Sequence, residues 1–436
     1  MSKKPAQCPF SRRGFLAAAG SLVASMGCAH AAVAGGLLNG LKKRDLAPMD
    51  SPDSALLVSA AQIESFYEKN QGGIATAQQK HSYFAVLDLT TAQRSDVISL
   101  LKSWTEASAR MTQGLTALPI SQDLTTPGAD SGEAMGLAPS RLTITFGFGA
   151  GLFMKDGQDR YGLAAQRPAA FVDLPAFNGD QLVDTKTGGD LSIQACADDP
   201  QIAFHAVRQL AQIAYGIAKI RWAQTGFMPN TPDSETPRNL MGFKDGIMNP
   251  QDLDQFVWVG SEGPAWMRGG SYAVIRRIRI ALEHWDRTEV DFQEQVVGRH
   301  KYSGAPIGMQ NETDALDLDA KDTDGNYLIA INSHVRLASP QANNGIQILR
   351  RGYSYNDGVD FTAERWPPWH QGMEYDAGLF FACYQRDPRN GFIPMFSTMA
   401  KLDALNQYTT HTGSGLFACP AGVAEGQYIG QGLFET

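Results

Sequence analysis

Hydrophobic and polar positions along the chain mark out two successive sets of strands and helices. Tyr83 to Leu89 reads as a strand. Thr91 is placed to cap a helix in which Val97, Leu100, Leu101 and Trp104 fall on one face through about Met111. After a loop rich in Pro, Gly and Asp, Leu142, Ile144, Phe146 and Phe148 alternate as in a half-buried strand, and Asp190 to Cys196 reads as another. Asp198-Asp199-Pro200 offers a cap and first-turn proline for a helix with Ile202, Ala206, Leu210 and Ile213 inward. The order then repeats. Ser271 to Ile280 is a strand, and Asp286 with Glu289 can form a capping box for a helix through Val296 and Val297. Tyr327 to Ile331, Ile346 to Leu349 and Gly378 to Tyr384 read as strands, and Pro394 to Leu405 as a helix. The pattern predicts an α+β fold of two ferredoxin-like repeats, antiparallel sheets with helices packed on them, in one chain.

The 436 residues, 43% hydrophobic and 19% charged, suit one large or two ordinary globular domains. Ser11-Arg12-Arg13-Gly14-Phe15-Leu16, an apolar run to Met26 and small residues through Ala32 read as a twin-arginine signal peptide over 1–34. Cleavage after Ala31 or Ala34 leaves no membrane span, and the expected location is the periplasm or another exported compartment. A polar approach segment follows over 35–75, then halves at 76–230 and 231–436. The formal charge of −8 becomes −12 once Lys3, Lys4, Arg12 and Arg13 leave with the first 31 residues, which hold no acid. Such a balance argues against nucleic-acid partners. Cys196, Cys383 and Cys419 remain, an odd number with no Cys-x-x-Cys spacing, so buried thiols are expected rather than a disulfide or a structural metal site. The acids Asp317, Asp319, Asp322 and Asp324 lack EF-hand spacing because Ala320 interrupts them, and read as a solvated loop.

Chemistry is first suggested by Gly242-Phe243-Lys244-Asp245-Gly246, a carboxylate at the end of a glycine-flanked turn whose backbone can approach a ligand closely. An aspartate in that place also commonly bonds its own backbone. Further on come Ser333-His334-Val335-Arg336-Leu337-Ala338, Leu349-Arg350-Arg351-Gly352-Tyr353-Ser354-Tyr355 and His411-Thr412-Gly413-Ser414-Gly415-Leu416-Phe417. With the aspartate turn, and in this order, these runs resemble the dye-decolourising peroxidases, most of all the exported deferrochelatase/peroxidase branch of bacterial ferrous-iron uptake systems.

The resemblance implies one haem b per chain, lodged in the second half, and peroxide-driven oxidation of phenolic or dye-like reductants through a ferryl intermediate. It makes His334 the axial ligand of the haem iron. A peroxidase ligand of this kind needs its other nitrogen bonded to an anion. Asp387, before Pro388, can accept that bond or cap its own turn, and the residues leave both readings open. Peroxide cleavage also needs an acid/base and a fixed charge, the roles the resemblance gives to Asp245 and Arg350. Strand alternation turns Arg351 away from Arg350, to a structural position or a haem propionate. Gly246, Ile247 and Met248 are expected over the distal haem face, and Ser339, Pro340 and Gln341 near a propionate. Met248 departs from the small residue the family usually has nearby.

Tyr353, Tyr355, Trp366 and Trp369 are core residues by composition and also candidates to relay electrons to bulky reductants. His205 sits on a helix face, His284 and His300 among charges, His370 in a Trp/Pro loop, and His411 in a context read as structural. The alternative function is a haem-handling component of an iron importer that releases iron from haem, with peroxidase turnover incidental. Other proteins of that uptake system would then be partners. Homodimer formation is left open.

Overall fold

The computed structural model describes residues 62–435, apart from 122, 124, 233 and 364–370. The leader, residues 35–61 of the approach segment, Trp366, Trp369 and His370 therefore lie outside the described residues. Among those described, the strands are β1 (His81–Leu89), β2 (Thr143–Phe148), β3 (Leu191–Ala197), β4 (Ala218–Phe227), β5 (Ser271–Ile280), β6 (Leu349–Arg350), β7 (Tyr353–Ala363), β8 (Gln371–Gln385) and β9 (Thr409–Cys419). They form one antiparallel sheet in the order β5-β9-β2-β3-β1-β4-β7-β8-β6. β5 pairs also with β8, from Tyr272 opposite Gln385 to Arg279 opposite Gly378, and this closes all but the short β6 into a ring. The class is α+β, but the expected pair of separate sheets is corrected to one continuous sheet. Each half would otherwise leave open edges. The other half covers them, through Phe227 opposite Ser354 on one side and Phe148 opposite Ala418 on the other.

Ring closure explains the apolar strands. Phe84, Trp222, Tyr355, Phe380, Tyr384 and Phe417 form one buried cluster contributed by the inner faces of β1, β4, β7, β8 and β9. The alternate residues of β1 to β3, among them Leu87, Ile144 and Ile193, pack outward against the helices Arg94–Thr112 and Pro200–Ile213. Strands covered on both faces lose their polar alternation, and every residue of β3 is buried. The helix Pro200–Ile213 starts as its sequence predicts, with Asp199 accepting from Gln201 N at 2.7 Å and Ile202 N at 3.2 Å. Gln93 rather than Thr91 is the first helix's cap position. Thr91 Oγ1 instead donates to Asp96 at 2.6 Å and accepts from Gln93 N.

In the second half local signals were overridden more often. No capping box forms at Asp286, because a short helix, Leu282–Trp285, ends there and the next runs Val290–Val297 from Glu289 without a side-chain cap. Gln293 donates to Trp285 O at 2.8 Å and Thr288 O at 3.0 Å, so a side chain from within the second helix ties off the junction. Tyr327 to Ile331 is an irregular segment with a single bridge, Lys321 to Tyr327. The strand expected at Ile346 shrinks to β6. The helix expected over Pro394–Leu405 is Phe392–Leu402, broken by Asp403, whose extended backbone and side chain start a tight turn over Ala404–Gln407.

Candidate active site

A cavity of about 270 Å³ opens between the outer face of β5, β8 and β9, the helices His334–Ala338 and Phe392–Leu402, and the turn around Asp245. Ile278, Leu379, Phe381, Phe392 and Met399 make much of its wall apolar. His334, Asp245 and Arg350 all line it, and the three are close enough for the charges of Arg350 and Asp245 to act on the imidazole.

His334 is the first residue of a five-residue helix, after Ser333, whose hydroxyl donates to Ala330 O at 2.8 Å. Its Nδ1 lies 2.7 Å from Asp403 Oδ2. Asp403 is 6% exposed, and its other oxygen accepts from Leu405 N at 2.9 Å. The carboxylate thus has one oxygen for its own turn and one for the imidazole. With Nδ1 as the donor to Asp403, Nε2 of His334 carries a free lone pair. Burial alone would lower the pKa of His334, but the adjacent Asp403 carboxylate outweighs it and the net shift is upward. Asp387 is not that partner. It binds Arg389 at 2.7 Å and accepts from Arg389 N at 2.9 Å, so it caps its own turn. Asp403 was missed because the apolar pattern carried the helix past it; a helix stop at Leu402-Asp403 was the available signal.

The turn bearing Asp245 is fastened along its length. Asn239 Oδ1 accepts from Met241 N and Phe243 N, Arg238 donates to Gly242 O at 2.8 Å and to Lys301 O, and Trp285 Nε1 donates to Met241 O at 3.0 Å. Gly242 and Gly246 have φ of +85° and +90°, the left-handed region that favours glycine. A Cβ at Gly246 would meet nothing within 4 Å, so its requirement is conformational. Asp245 Oδ1 accepts from Gly246 N at 2.7 Å and lies 3.5 Å from an Arg350 terminal nitrogen, and Asn239 Nδ2 stands 3.4 Å from Oδ2.

Arg350 is placed by a residue that sequence reasoning did not single out. Asn249 accepts from Arg350 N at 2.9 Å and donates to Arg350 O at 3.0 Å, clamping β6 to the Asp245 turn. Strand alternation sends Arg351 the other way, where it is buried against Gln79 and Thr76 O. It is structural. Ile247 and Met248 line the cavity with Gly246; the Met248 side chain is half exposed and its carbonyl accepts from Arg350 at 3.3 Å. Ser339 and Pro340 also line the cavity. Gln341 is exposed and is not among the lining residues, which departs from its expected place in the cavity. Tyr353 and Tyr355 are fully buried inside the ring. Cys196, Cys383 and Cys419 are buried free thiols, and burial pushes the Cys419 thiol up to about 12. The acids of the 317–324 loop accept from its own backbone, Asp317 from Asp319 N and Asp322 from Asp324 N.

A haem suits this arrangement. An imidazole held by an anion at Nδ1 lines the cavity, much of the wall is apolar, and an acid and a guanidinium in contact with each other line it too.

Comparison with known proteins gives the same direction. Residues 71–228 match the model for "Dyp-type peroxidase, N-terminal" and residues 236–424 that for "Dyp-type peroxidase, C-terminal". The chain is 39% identical to a dye-decolorizing peroxidase of Thermobifida fusca, across 98% of this chain and 97% of that one. It is 34% identical to a deferrochelatase of Escherichia coli, again across 98% and 97%. Among solved structures, ferric DtpA from Streptomyces lividans superposes with a TM-score of 0.78 at 38% identity, covering 88% of this chain and 100% of the other. DypB of Rhodococcus jostii, solved in complex with heme, shares the fold alone, at 22% identity and a TM-score of 0.56 over 84% of this chain and 97% of that one.

Proposed function

The chain belongs to the Dyp-type peroxidase family and is a haem-dependent peroxidase, and from that premise we propose that His334 holds the iron while Asp245 and Arg350 work on the peroxide. The observation that carries this assignment is the Asp403–His334 pair, which leaves Nε2 as a lone-pair donor in the same cavity that the paired Asp245 and Arg350 line. Bound haem supplies the iron at which the peroxide O–O bond is broken and the electrons that reduce it. The protein's share is positional and protic. Asp245, as a carboxylate, takes the proton of the nearer peroxide oxygen and returns it to the departing one, which leaves as water. Arg350 contributes positive charge and donors toward the oxygen that gains electron density. Asp403 keeps the His334 proton on Nδ1 and raises the electron donation of Nε2. Gly246, Ile247 and Met248 form the wall on the peroxide side, and Ser339 and Pro340 part of the wall on the His334 side.

The reductants of this reading are phenolic or dye-like molecules; the Thermobifida relative's name, a dye-decolorizing peroxidase, supports the dyes. Three finer points join the proposal. The ring is read as two fused ferredoxin-like halves, since β2-β3-β1-β4 and β7-β8-β5-β9 follow the same spatial order, and the two family matches divide the chain near the expected boundary at 230. Export by the twin-arginine route rests on the Arg12-Arg13 leader. No described helix is long and apolar enough to cross a membrane. A second reading, release of iron from haem, is favoured by the deferrochelatase relatives and would use the same His334.

The test is the absorption spectrum of the purified protein beside His334→Ala, before and after peroxide. The expected result is a Soret band that His334→Ala loses or strongly shifts, and a peroxide-induced change in the wild type only. A wild type that holds haem without responding to peroxide points to the iron-handling reading, and one that cannot be loaded with haem overturns both.

A further inference from the structure

One polar cluster in the cavity wall has no part in the assignment above. Arg276 on β5 is 1% exposed and spends its whole guanidinium on three partners: Nε donates to His411 Nδ1 at 3.0 Å, one terminal nitrogen to Ser414 Oγ at 3.0 Å, and the other pairs with Asp180. The rings of Phe177 and Phe396 lie 5.4 and 5.3 Å from its carbon, and Phe396 also packs on His411 with ring centres 4.8 Å apart. Arg276, Phe396 and His411 all line the cavity.

The direction of the Arg276–His411 bond settles a proton. A guanidinium N–H only donates, so Nδ1 of His411 is the acceptor and carries no hydrogen. The imidazole proton is therefore on Nε2. Burial, with the Arg276 charge added, holds the pKa of His411 well below its ordinary value, so the ring stays neutral. Among the described residues Nε2–H has no hydrogen-bond acceptor, and it is not one of the side-chain atoms sealed from solvent without a partner. Arg276 and Asp180 cancel each other's charge. What the cluster presents to the cavity is a neutral, tautomer-locked N–H donor in an apolar surround.

We propose that His411 Nε2–H is a positioning donor for a carboxylate of the cavity's occupant, held in its tautomer by the Asp180–Arg276 pair. The inference rests on the haem-peroxidase reading. On the periphery of haem the hydrogen-bond acceptors are the propionates; a carboxylated phenolic reductant is the other source of the same group. A neutral donor serves a carboxylate beside the Arg276–Asp180 pair without adding a second buried cation, which the apolar wall would penalise.

The experiment compares wild type, His411→Phe and His411→Gln, each loaded with haem. Gln keeps an acceptor for Arg276 and a donor for the cavity; Phe keeps the ring and removes both, and His411→Leu replaces it if it does not fold. Haem loss to excess apomyoglobin is measured with haem and with its dimethyl ester, and the propionate bending band is followed by resonance Raman. If the carboxylate is a propionate, Phe speeds loss of haem roughly tenfold or more. It also shifts the Raman band, has little effect on the ester, and is rescued by Gln. If the carboxylate is the reductant's, haem loss and the band stay as in wild type, while KM rises severalfold for 4-hydroxybenzoate-type reductants and not for uncharged phenols. If neither set of values moves, or Phe affects haem and ester alike, the proposal is overturned. A wild type without a Soret band would instead remove the reading on which it rests, so the two failures are distinguishable.

Discussion

At the scale of single residues, the site depends on which carboxylate meets which partner. Two aspartates are held differently: Asp403 is buried, with one oxygen on His334 and the other on its own turn. Asp245 is over a third exposed, on a turn with a long contact to Arg350, and is the acid/base of the proposed mechanism. Asp245→Asn is expected to lower the rate of reaction with peroxide by about 10²- to 10⁴-fold while leaving the Soret band of the resting protein near its wild-type position, read by stopped-flow absorption. Asp403→Asn removes the anion behind the imidazole. Its expected signature is a reduction potential shifted positive and roughly 10- to 100-fold weaker haem retention or activity, whereas Asp387→Asn changes neither. Asp245, His334 and Arg350 stood out in the sequence because their neighbours are distinctive. Asp403 did not, since a helix stop within an apolar run looks the same whether the acid caps a turn or braces a ligand.

Secondary elements hold these groups through a few side-chain clamps. β6 is only two residues long, too short to position Arg350 by ladder bonds alone, and the reciprocal Asn249 pair supplies what the strand lacks. Asn249→Ala is expected to leave folding nearly intact, at a cost of about 1–3 kcal/mol, but to lower peroxide reactivity through a displaced Arg350. Comparing urea unfolding with peroxide kinetics separates the two effects. A second clamp fixes the end of β8. Arg386 binds both oxygens of Glu262, at 2.6 and 2.5 Å, and Asp254 O at 2.8 Å. The Arg386 hydrogen bonds hold the Glu262 carboxyl at about 2, below its ordinary 4.5. A depressed folded-state pKa contributes stability that is present above pH 4.5 and lost as pH falls toward 2. The pair is half exposed, so its contribution is screened to under about 1 kcal/mol. Glu262→Gln should accordingly flatten the pH dependence of stability between 4.5 and 2, most visibly at low salt.

For the whole molecule the decisive feature is ring closure. Arg277, 2% exposed inside the ring, donates to Gln224 on β4 and Thr412 on β9, pairs with Asp357 on β7 and Asp376 on β8 at 2.8 Å each, and stacks on Tyr355 at 4.2 Å. One side chain on β5 thus joins four neighbouring strands across the seam between the halves. Arg277→Leu strands two acids and a glutamine, and is expected to cost about 3 kcal/mol in urea unfolding, at the low end for a buried pair because both acids are partly exposed. The sequence by itself determined much at short range. Apolar runs placed β1, β3, β5 and β8 and alternation placed β2, Asp199-Pro200 started its helix, and period two separated Arg350 from Arg351. The glycines of the Asp245 turn announced its backbone. These outcomes depend on residues within a turn or two of one another, where propensity and capping act. The joining of two sheets into one ring, Asp403 behind His334, Asn249 on Arg350 and the orientation of His411 by Arg276 were decided only by the tertiary structure. Each pairs groups that are tens to hundreds of residues apart, and polar side chains in a closed interior take whichever partner the packed strands bring within reach, because leaving them unpaired costs more than any local preference supplies.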